Sequence, residues 1–163
     1  MENLVVGVDF WKNKRVLITG NTGFKGSWLS IWLCQLGANI RGYSLPAPTN
    51  PSLFHLSGIG EHLETTFSDI RDADSFKKCV QQFDPEIIFH LAAQPLVRAS
   101  YQDPVETFET NIMGTVNLFE AARVAKNLKV LINVTSDKCY QNNEINLPFE
   151  ESDPIGGQDP YSA

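Results

Sequence analysis

Thr19-Gly-Asn-Thr-Gly-Phe-Lys-Gly26 lies between a short apolar run, Arg15-Val-Leu-Ile-Thr19, and a stretch in which Trp28, Leu29, Trp32, Leu33 and Leu36 recur at helical spacing. The run reads as a buried strand of a parallel sheet. The stretch reads as a helix, with Gly37 where a C-cap glycine belongs. Glycines 20, 23 and 26 therefore span a strand-to-helix turn, and each has a physical task. Gly20 permits the tight turn, Gly23 lets a pyrophosphate approach the N–H groups at the helix N-terminus, and Gly26 permits close contact between helix and strand. The chain is thereby committed to strand, turn and helix, with an anion site at the turn.

The alternation continues downstream. Asn39 to Tyr43 predicts a second strand, followed by a long exposed loop holding Pro46, Pro48 and Pro51. Leu63 to Phe67 predicts a third strand, Asp72 to Phe83 a helix with an acidic first turn, and Glu86 to Leu91 a fourth strand. Val105, Phe108, Ile112, Val116 and Phe119 trace one apolar face of a helix from Pro104 to Lys126, and Lys129 to Val134 predicts a fifth strand. Strands alternating with helices imply an α/β fold, a doubly wound parallel sheet covered on both faces. Ligands bind such sheets at the C-terminal strand ends, so Gly20, Asp69, Ala92 and Ser136 are the positions to read as chemistry.

Composition narrows the function. Thirteen basic and nineteen acidic side chains give a net charge of −6, which argues against a nucleic-acid partner. An anionic ligand must then be bound locally. Cys34, Cys79 and Cys139 are odd in number and widely spaced, which indicates neither a disulfide framework nor a metal site and suits a reducing cytoplasm. No apolar stretch approaches the ~20 residues of a membrane span, and the acidic N-terminus lacks the regions of a signal peptide.

The glycine spacing is GxxGxxG rather than GxGxxG, and here the chain resembles the extended short-chain dehydrogenase/reductase family, whose cofactor domain is Rossmann-type. Asp69-Ile70 matches that family's adenine-holding pair, His90-Leu-Ala-Ala93 its strand-end pair beside the ribose, and Asn111 its helix asparagine. The resemblance implies NAD bound by Gly20, Thr22, Gly23, Phe24, Gly26, Asp69, Ile70, Ala92, Ala93, Gln94 and Thr135. His90 itself reads as a packed, hydrogen-bonded core histidine. NAD enzymes commonly place an acid after the second strand, but Arg41-Gly-Tyr-Ser44 offers none, and Arg41 is a residue that could favour NADP.

The fifth strand runs into Asn-Val-Thr-Ser-Asp-Lys-Cys-Tyr140, a hydroxyl, a carboxylate and an ammonium at the cofactor edge of the sheet. Further on, Asp159-Pro-Tyr-Ser-Ala163 reads as a cap, a first-turn proline and a tyrosine starting a helix. In the family the active tyrosine is followed four residues on by a lysine, a position two beyond Ala163. The chain is therefore expected to be the N-terminal cofactor domain, residues 1–163, stopping before a C-terminal substrate-binding part. Ser136-Asp137-Lys138 is similar to the sugar-nucleotide 4,6-dehydratases acting on CDP-glucose, as are Gly42 to Phe54 and Gln94 to Tyr101.

That resemblance implies four roles. Tyr161 takes the 4-hydroxyl proton, Ser136 hydrogen-bonds the 4-oxygen, Asp137 protonates the departing 6-hydroxyl and Lys138 removes the C5 proton. Arg98 and Ser136 are assigned to substrate, and the whole protein is expected to form a homo-oligomer. The alternatives are a 4-epimerase or reductase of the same family, or a noncatalytic nucleotide-binding module.

Overall fold

The computed structural model describes residues 8–141 and 147–162. Five strands form one parallel sheet in the order β3-β2-β1-β4-β5: β1 Arg15–Thr19, β2 Asn39–Ser44, β3 Glu64–Phe67, β4 Ile87–His90 and β5 Val130–Asn133. The order reverses between β1 and β4, which opens the binding crevice of a doubly wound sheet at their C-terminal ends. The expected fold class is the one observed.

Alternating side-chain direction divides the core between two faces. Val16, Ile18, Ile40 and Ile87 pack with Leu33 of α1 (Phe24–Gln35) on one face. Leu17, Tyr43 and Ile88 meet Phe76, Cys79 and Val80 of α3 (Ala73–Phe83) on the other. The loop after β2 is less irregular than its prolines suggest. Ser52 caps a single helical turn, α2 (Leu53–Leu56), by accepting from the His55 N–H.

Two expectations need correction. The apolar residues of α1 do not form one buried face: Trp28 and Trp32 are 54% and 63% exposed, while Leu33 is buried. Gly26, Ser27 and Ser30 take the buried positions instead, because the helix approaches the sheet too closely there for large side chains. The long helix is likewise divided, into α5 (Pro104–Phe108), a π-helical segment Glu109–Met113 and α6 (Gly114–Ala122). It ends before Lys126 because the Asp84 carboxylate accepts the N–H groups of Lys126 and Asn127, each at 3.1 Å. Its expected apolar face points outward, with Val105, Phe108, Ile112, Val116 and Phe119 all exposed, and Leu118 and Ala121 packing inward against α3. A further short helix, α4 (Val97–Gln102), precedes it. Among the described residues no helix is long and apolar enough to cross a membrane.

The ends of β1 and β4 are joined by one buried hydrogen-bond set. Thr19 Oγ1 accepts the N–H groups of Leu91 and Ala92, both at 3.2 Å, so its own proton goes to His90 Nδ1 at 2.7 Å. His90 is thus a neutral imidazole with its proton on Nε2. Burial pushes its pKa from 6.5 to about 4. Between those values the unfolded chain binds the extra proton, so stability falls as pH drops from about 6.5 towards about 4. The shift corresponds to about 3 kcal/mol at its limit. Urea unfolding at about pH 7 and about pH 4.5 should show wild type losing roughly 2–3 kcal/mol more than His90→Gln. Equal losses in the two proteins would remove His90 from the acid limb.

Candidate active site

Four strand ends, those of β1, β3, β4 and β5, supply the site. At the first, Gly20 has φ +72°, and a Cβ there would come within 2.8 Å of Ala92 N and 2.9 Å of the Leu91 carbonyl. At Gly26 a Cβ would collide with the Gly20 carbonyl and lie 2.8 Å from Asn21 Cα. Gly23 differs, since a Cβ would meet only Gly20 O at 3.3 Å. Its outward side is open to a ligand. Gly23 is also the N-cap of α1 and provides no side-chain cap, whereas Ser52, Asp72 and Asp103 cap α2, α3 and α5. The free N–H groups of the first turn of α1 are a donor set suited to a pyrophosphate, and no net positive charge is needed to bind it. Phe24 borders this turn at 71% exposure.

Thr22 serves the turn from beneath. Its hydroxyl donates to Leu45 O at 2.8 Å and therefore accepts from Ser44 Oγ at 2.8 Å, which ties the turn to the end of β2. Asn21 is fully buried and donates to Thr65 Oγ1 at 2.9 Å, while its Oδ1 has no partner among the described residues. Arg41 lies elsewhere. It pairs with Glu64 at 2.6 Å and sits over the Phe83 ring, three residues before the C-terminal end of β2. The reason is register: Arg41 lies opposite Leu17 and Glu64, low in the sheet, so it supplies no cation to the crevice.

At the end of β3, the Asp69 carboxylate is held by Arg71, whose N–H reaches Oδ1 at 2.9 Å and whose Nε and Nη2 reach Oδ2 at 3.0 and 2.7 Å. The Arg71 guanidinium keeps this carboxyl below the ordinary carboxylate range. The Ile70 side chain is buried in the core. Beyond β4, Ala92 is partly buried, Ala93 exposed, and Gln94 is locked from both sides. Its N–H donates to Asn111 Oδ1 at 2.8 Å, its carbonyl accepts from Asn111 Nδ2 at 3.1 Å, and its Nε2 donates to Thr107 Oγ1 at 2.9 Å. Arg98 is exposed on α4 and makes no ion pair among the described residues.

Beyond β5, Thr135 is exposed and Ser136 caps a single 3-10 turn, Asp137–Cys139. Ser136 Oγ donates to Asp137 Oδ1 at 3.3 Å and accepts the Lys138 N–H at 3.2 Å. Residues 154–156 return to pair with 139–141: Tyr140 bridges Ile155, Gln141 N donates to Pro154 O at 2.8 Å, and Gly156 N donates to Cys139 O at 2.9 Å. Past this pairing, Asp159 lies within reach of the Lys138 charge. Asp159 accepts the N–H groups of Tyr161 and Ser162 at 2.9 and 3.1 Å. Desolvation raises its pKa, but hydrogen bonds to Ser162 and Tyr161, together with the Lys138 charge, outweigh that and hold it below the ordinary value. The chain at Tyr161 is a turn rather than a started helix, and Ala163 lies outside the described residues.

The sequence-expected residues thus fall at the C-terminal edge of one sheet. Sequence reasoning missed the Thr19–His90 bond and the Arg71 clamp. Both had faint signals, a threonine and a histidine ending neighbouring strands and an arginine two residues from an expected ligand-binding aspartate, but each needs strand register to acquire meaning.

A family model described as GDP-mannose 4,6 dehydratase matches residues 17–163. CDP-glucose 4,6-dehydratase of Salmonella typhimurium is 51% identical over 158 residues, 97% of this chain and 44% of that protein. UDP-glucose 4-epimerase of Mycolicibacterium smegmatis is 35% identical over 91% of this chain and 47% of that protein. Among solved structures, UDP-glucose 4-epimerase of Thermus thermophilus in complex with NAD has a TM-score of 0.78 at 29% identity, covering 91% of this chain and 46% of that one. The Stenotrophomonas maltophila UDP-glucose-4-epimerase with bound NAD and formylated UDP-arabinopyranose has a TM-score of 0.79 at 25% identity, covering 92% and 45%. The chain spans less than half the length of these relatives. With a strand-end site of this architecture and a family match over nearly its whole length, the chain belongs to the GDP-mannose 4,6-dehydratase family.

Proposed function

We propose that the protein carrying this chain is a sugar-nucleotide 4,6-dehydratase that converts CDP-glucose to CDP-4-keto-6-deoxyglucose with NAD as a recycled cofactor. The observation that carries this is the Ser136-Asp137-Lys138 turn at the end of β5, onto whose following residues 139–141 the segment 154–156 pairs back, in a chain 51% identical to a CDP-glucose 4,6-dehydratase. The glycine turn, with its uncapped α1 N-terminus and the open side of Gly23, suits a dinucleotide pyrophosphate.

NAD, when bound, supplies a reversible acceptor for the hydride of C4. The chain's own residues handle the protons. Tyr161 takes the 4-hydroxyl proton, and Ser136 exchanges its bond to Asp137 for one to the sugar 4-oxygen. The resulting ketone acidifies C5–H, whose proton is assigned to Lys138. Asp137 passes a proton to the 6-hydroxyl, which leaves as water, and return of the C4 hydride to C6 with a proton to C5 gives the 4-keto-6-deoxy sugar. Thr22, Phe24, Ala92, Ala93, Gln94 and Thr135 are assigned to the walls of the cofactor crevice, Asp69 and Ile70 to its adenine end, and Arg98 to the substrate. The Gln94 clamp by Asn111 supports a rigid wall there.

The exposed stripe of Val105, Phe108, Ile112, Val116 and Phe119 supports self-association, and the three free cysteines suit a reducing cytoplasm. A 4-epimerase is the second reading, favoured by the 35% identity to UDP-glucose 4-epimerase. Product analysis with CDP-glucose separates the two: a 4-keto-6-deoxy sugar supports the dehydratase and a 4-epimer the alternative.

Gly23→Val fills the open side of the turn, and calorimetric titration should show NAD affinity falling at least about a hundredfold while the fold persists. Undiminished affinity in a folded variant would take the glycine turn out of the site. Lys138→Met should preserve oxidation at C4 yet block exchange of the C5 hydrogen with solvent deuterium, because only the second step uses Lys138 as a base. In single-turnover absorbance the reduced cofactor should then accumulate. Wild-type exchange and product formation in this variant would exclude Lys138 as the base.

A further inference from the structure

The turn between β3 and α3 is held from several directions at once. Ser68 N donates to Ser44 O at 3.1 Å and Tyr43 Oη donates to Asp69 O at 3.0 Å, both from β2. Asn117 Nδ2, from α6, donates to Ile70 O at 2.9 Å and Arg71 O at 3.2 Å. Asp72 caps α3 by accepting the Ser75 N–H at 3.0 Å. These bonds fix the backbone, but none of them fixes the Asp69 side chain. Arg71 does that. Beyond its three bonds to Asp69, its Nη1 reaches Glu109 Oε2 at 3.3 Å, 38 residues along the chain. Glu109 opens the π-helical segment Glu109–Met113, and Asn111, two residues on, grips the Gln94 backbone on the far side of the crevice. One helical turn thus braces both walls. Such π segments frequently mark functional sites.

A carboxylate has about four acceptor sites, two on each oxygen. Arg71 occupies both on Asp69 Oδ2 and one on Oδ1. Among the described residues no other group donates to Oδ1, so one acceptor there stays open, with its direction set by the guanidinium fork. An open acceptor matches a ring amino group, which donates, and not a ring carbonyl, which also accepts. We infer that Arg71, braced by Glu109, is a positioning residue that aims the single open acceptor of Asp69 at the amino group of a 6-aminopurine, and so selects adenine over 6-oxopurine nucleotides. The inference rests on the proposed assignment of Asp69 to the adenine end of the cofactor.

Arginine suits this task better than lysine, because its planar fork makes two bonds to Asp69 while a third nitrogen reaches Glu109. The guanidinium is 37% exposed, so the ion pairs by themselves add little to stability. Their effect is on direction.

The test uses ADP and inosine 5′-diphosphate as probes, titrated calorimetrically into the protein and into Asp69→Ala, Arg71→Ala, Arg71→Lys and Glu109→Gln. Wild type should prefer ADP. In Arg71→Ala the ADP dissociation constant should rise about tenfold, the scale of one charge-assisted hydrogen bond, while that of inosine diphosphate stays constant. Arg71→Lys should recover part of the preference, and Glu109→Gln should lose about two- to threefold of it. A general loss of structure would weaken both probes equally, so the ratio reports direction rather than folding. If Arg71→Ala does not fold, Arg71→Lys and Glu109→Gln still decide the matter, since unchanged preference in both overturns the inference. If Asp69→Ala abolishes the preference and Arg71→Ala does not, Asp69 keeps its role and Arg71 loses it. If Asp69→Ala, which has no side-chain acceptor, leaves the preference intact, the assignment of Asp69 fails and the inference with it.

Discussion

The first turn of α1 rests on the last residues of β1 with no side chain between them. Gly26 lies against the Gly20 carbonyl, and Gly20 lies against the backbone that leaves β4. Much else follows from these two contacts. Because α1 starts directly over the strand end, its N–H groups point into the crevice, and because Gly20 touches Ala92, the crevice floor is backbone rather than side chain. A methyl group at either glycine would part the helix from the sheet or β1 from β4. The buried serines of α1 continue the same close approach, which is why its tryptophans turn outward.

Around this contact the polar groups are arranged as fixed pairs. Thr19 satisfies two N–H groups of the β4 loop and hands its own proton to His90, so the imidazole is neutral and oriented. Thr22 fastens the turn to β2, Asn111 fastens the β4 loop to the long helix, and Arg71 fastens the β3 turn to the same helix. Buried or half-buried polar groups are costly unless paired, and here pairing also sets direction. The crevice is consequently rigid where a dinucleotide would lie. The β5 edge is looser, with Asp137 and Lys138 exposed.

Electrostatics follow a local logic. With a net charge of −6, the chain cannot attract an anion by its overall field. The uncapped N-terminus of α1 offers a local attraction instead, over the length of one turn, and the acidic groups near the crevice are compensated in place, Asp69 by Arg71 and Asp159 by N–H groups and Lys138. Arg41, which by sequence could have faced the cofactor, is spent on Glu64 and Phe83.

The fold was legible in the sequence because period and punctuation are local properties. The apolar run before Gly20, the glycines three apart and Gly37 at φ +80° define β1, the turn and α1 without reference to anything distant, and the five strands repeat that grammar. The strand-end positions were legible for the same reason, since in a parallel sheet they are the residues after each strand. Partners were not. Whether Arg41 reaches the crevice depends on its register against Leu17 and Glu64, and whether Asp69 is free depends on Arg71 and on Glu109 from another helix. The inward or outward facing of Trp28, Phe108 and Phe119 depends on how closely each helix approaches its sheet. Sequence alone determined which residues stand at the edge of the sheet. Only the tertiary structure decided which of them are already bound to one another, because hydrogen bonds and ion pairs join groups that are neighbours in space and not in the chain.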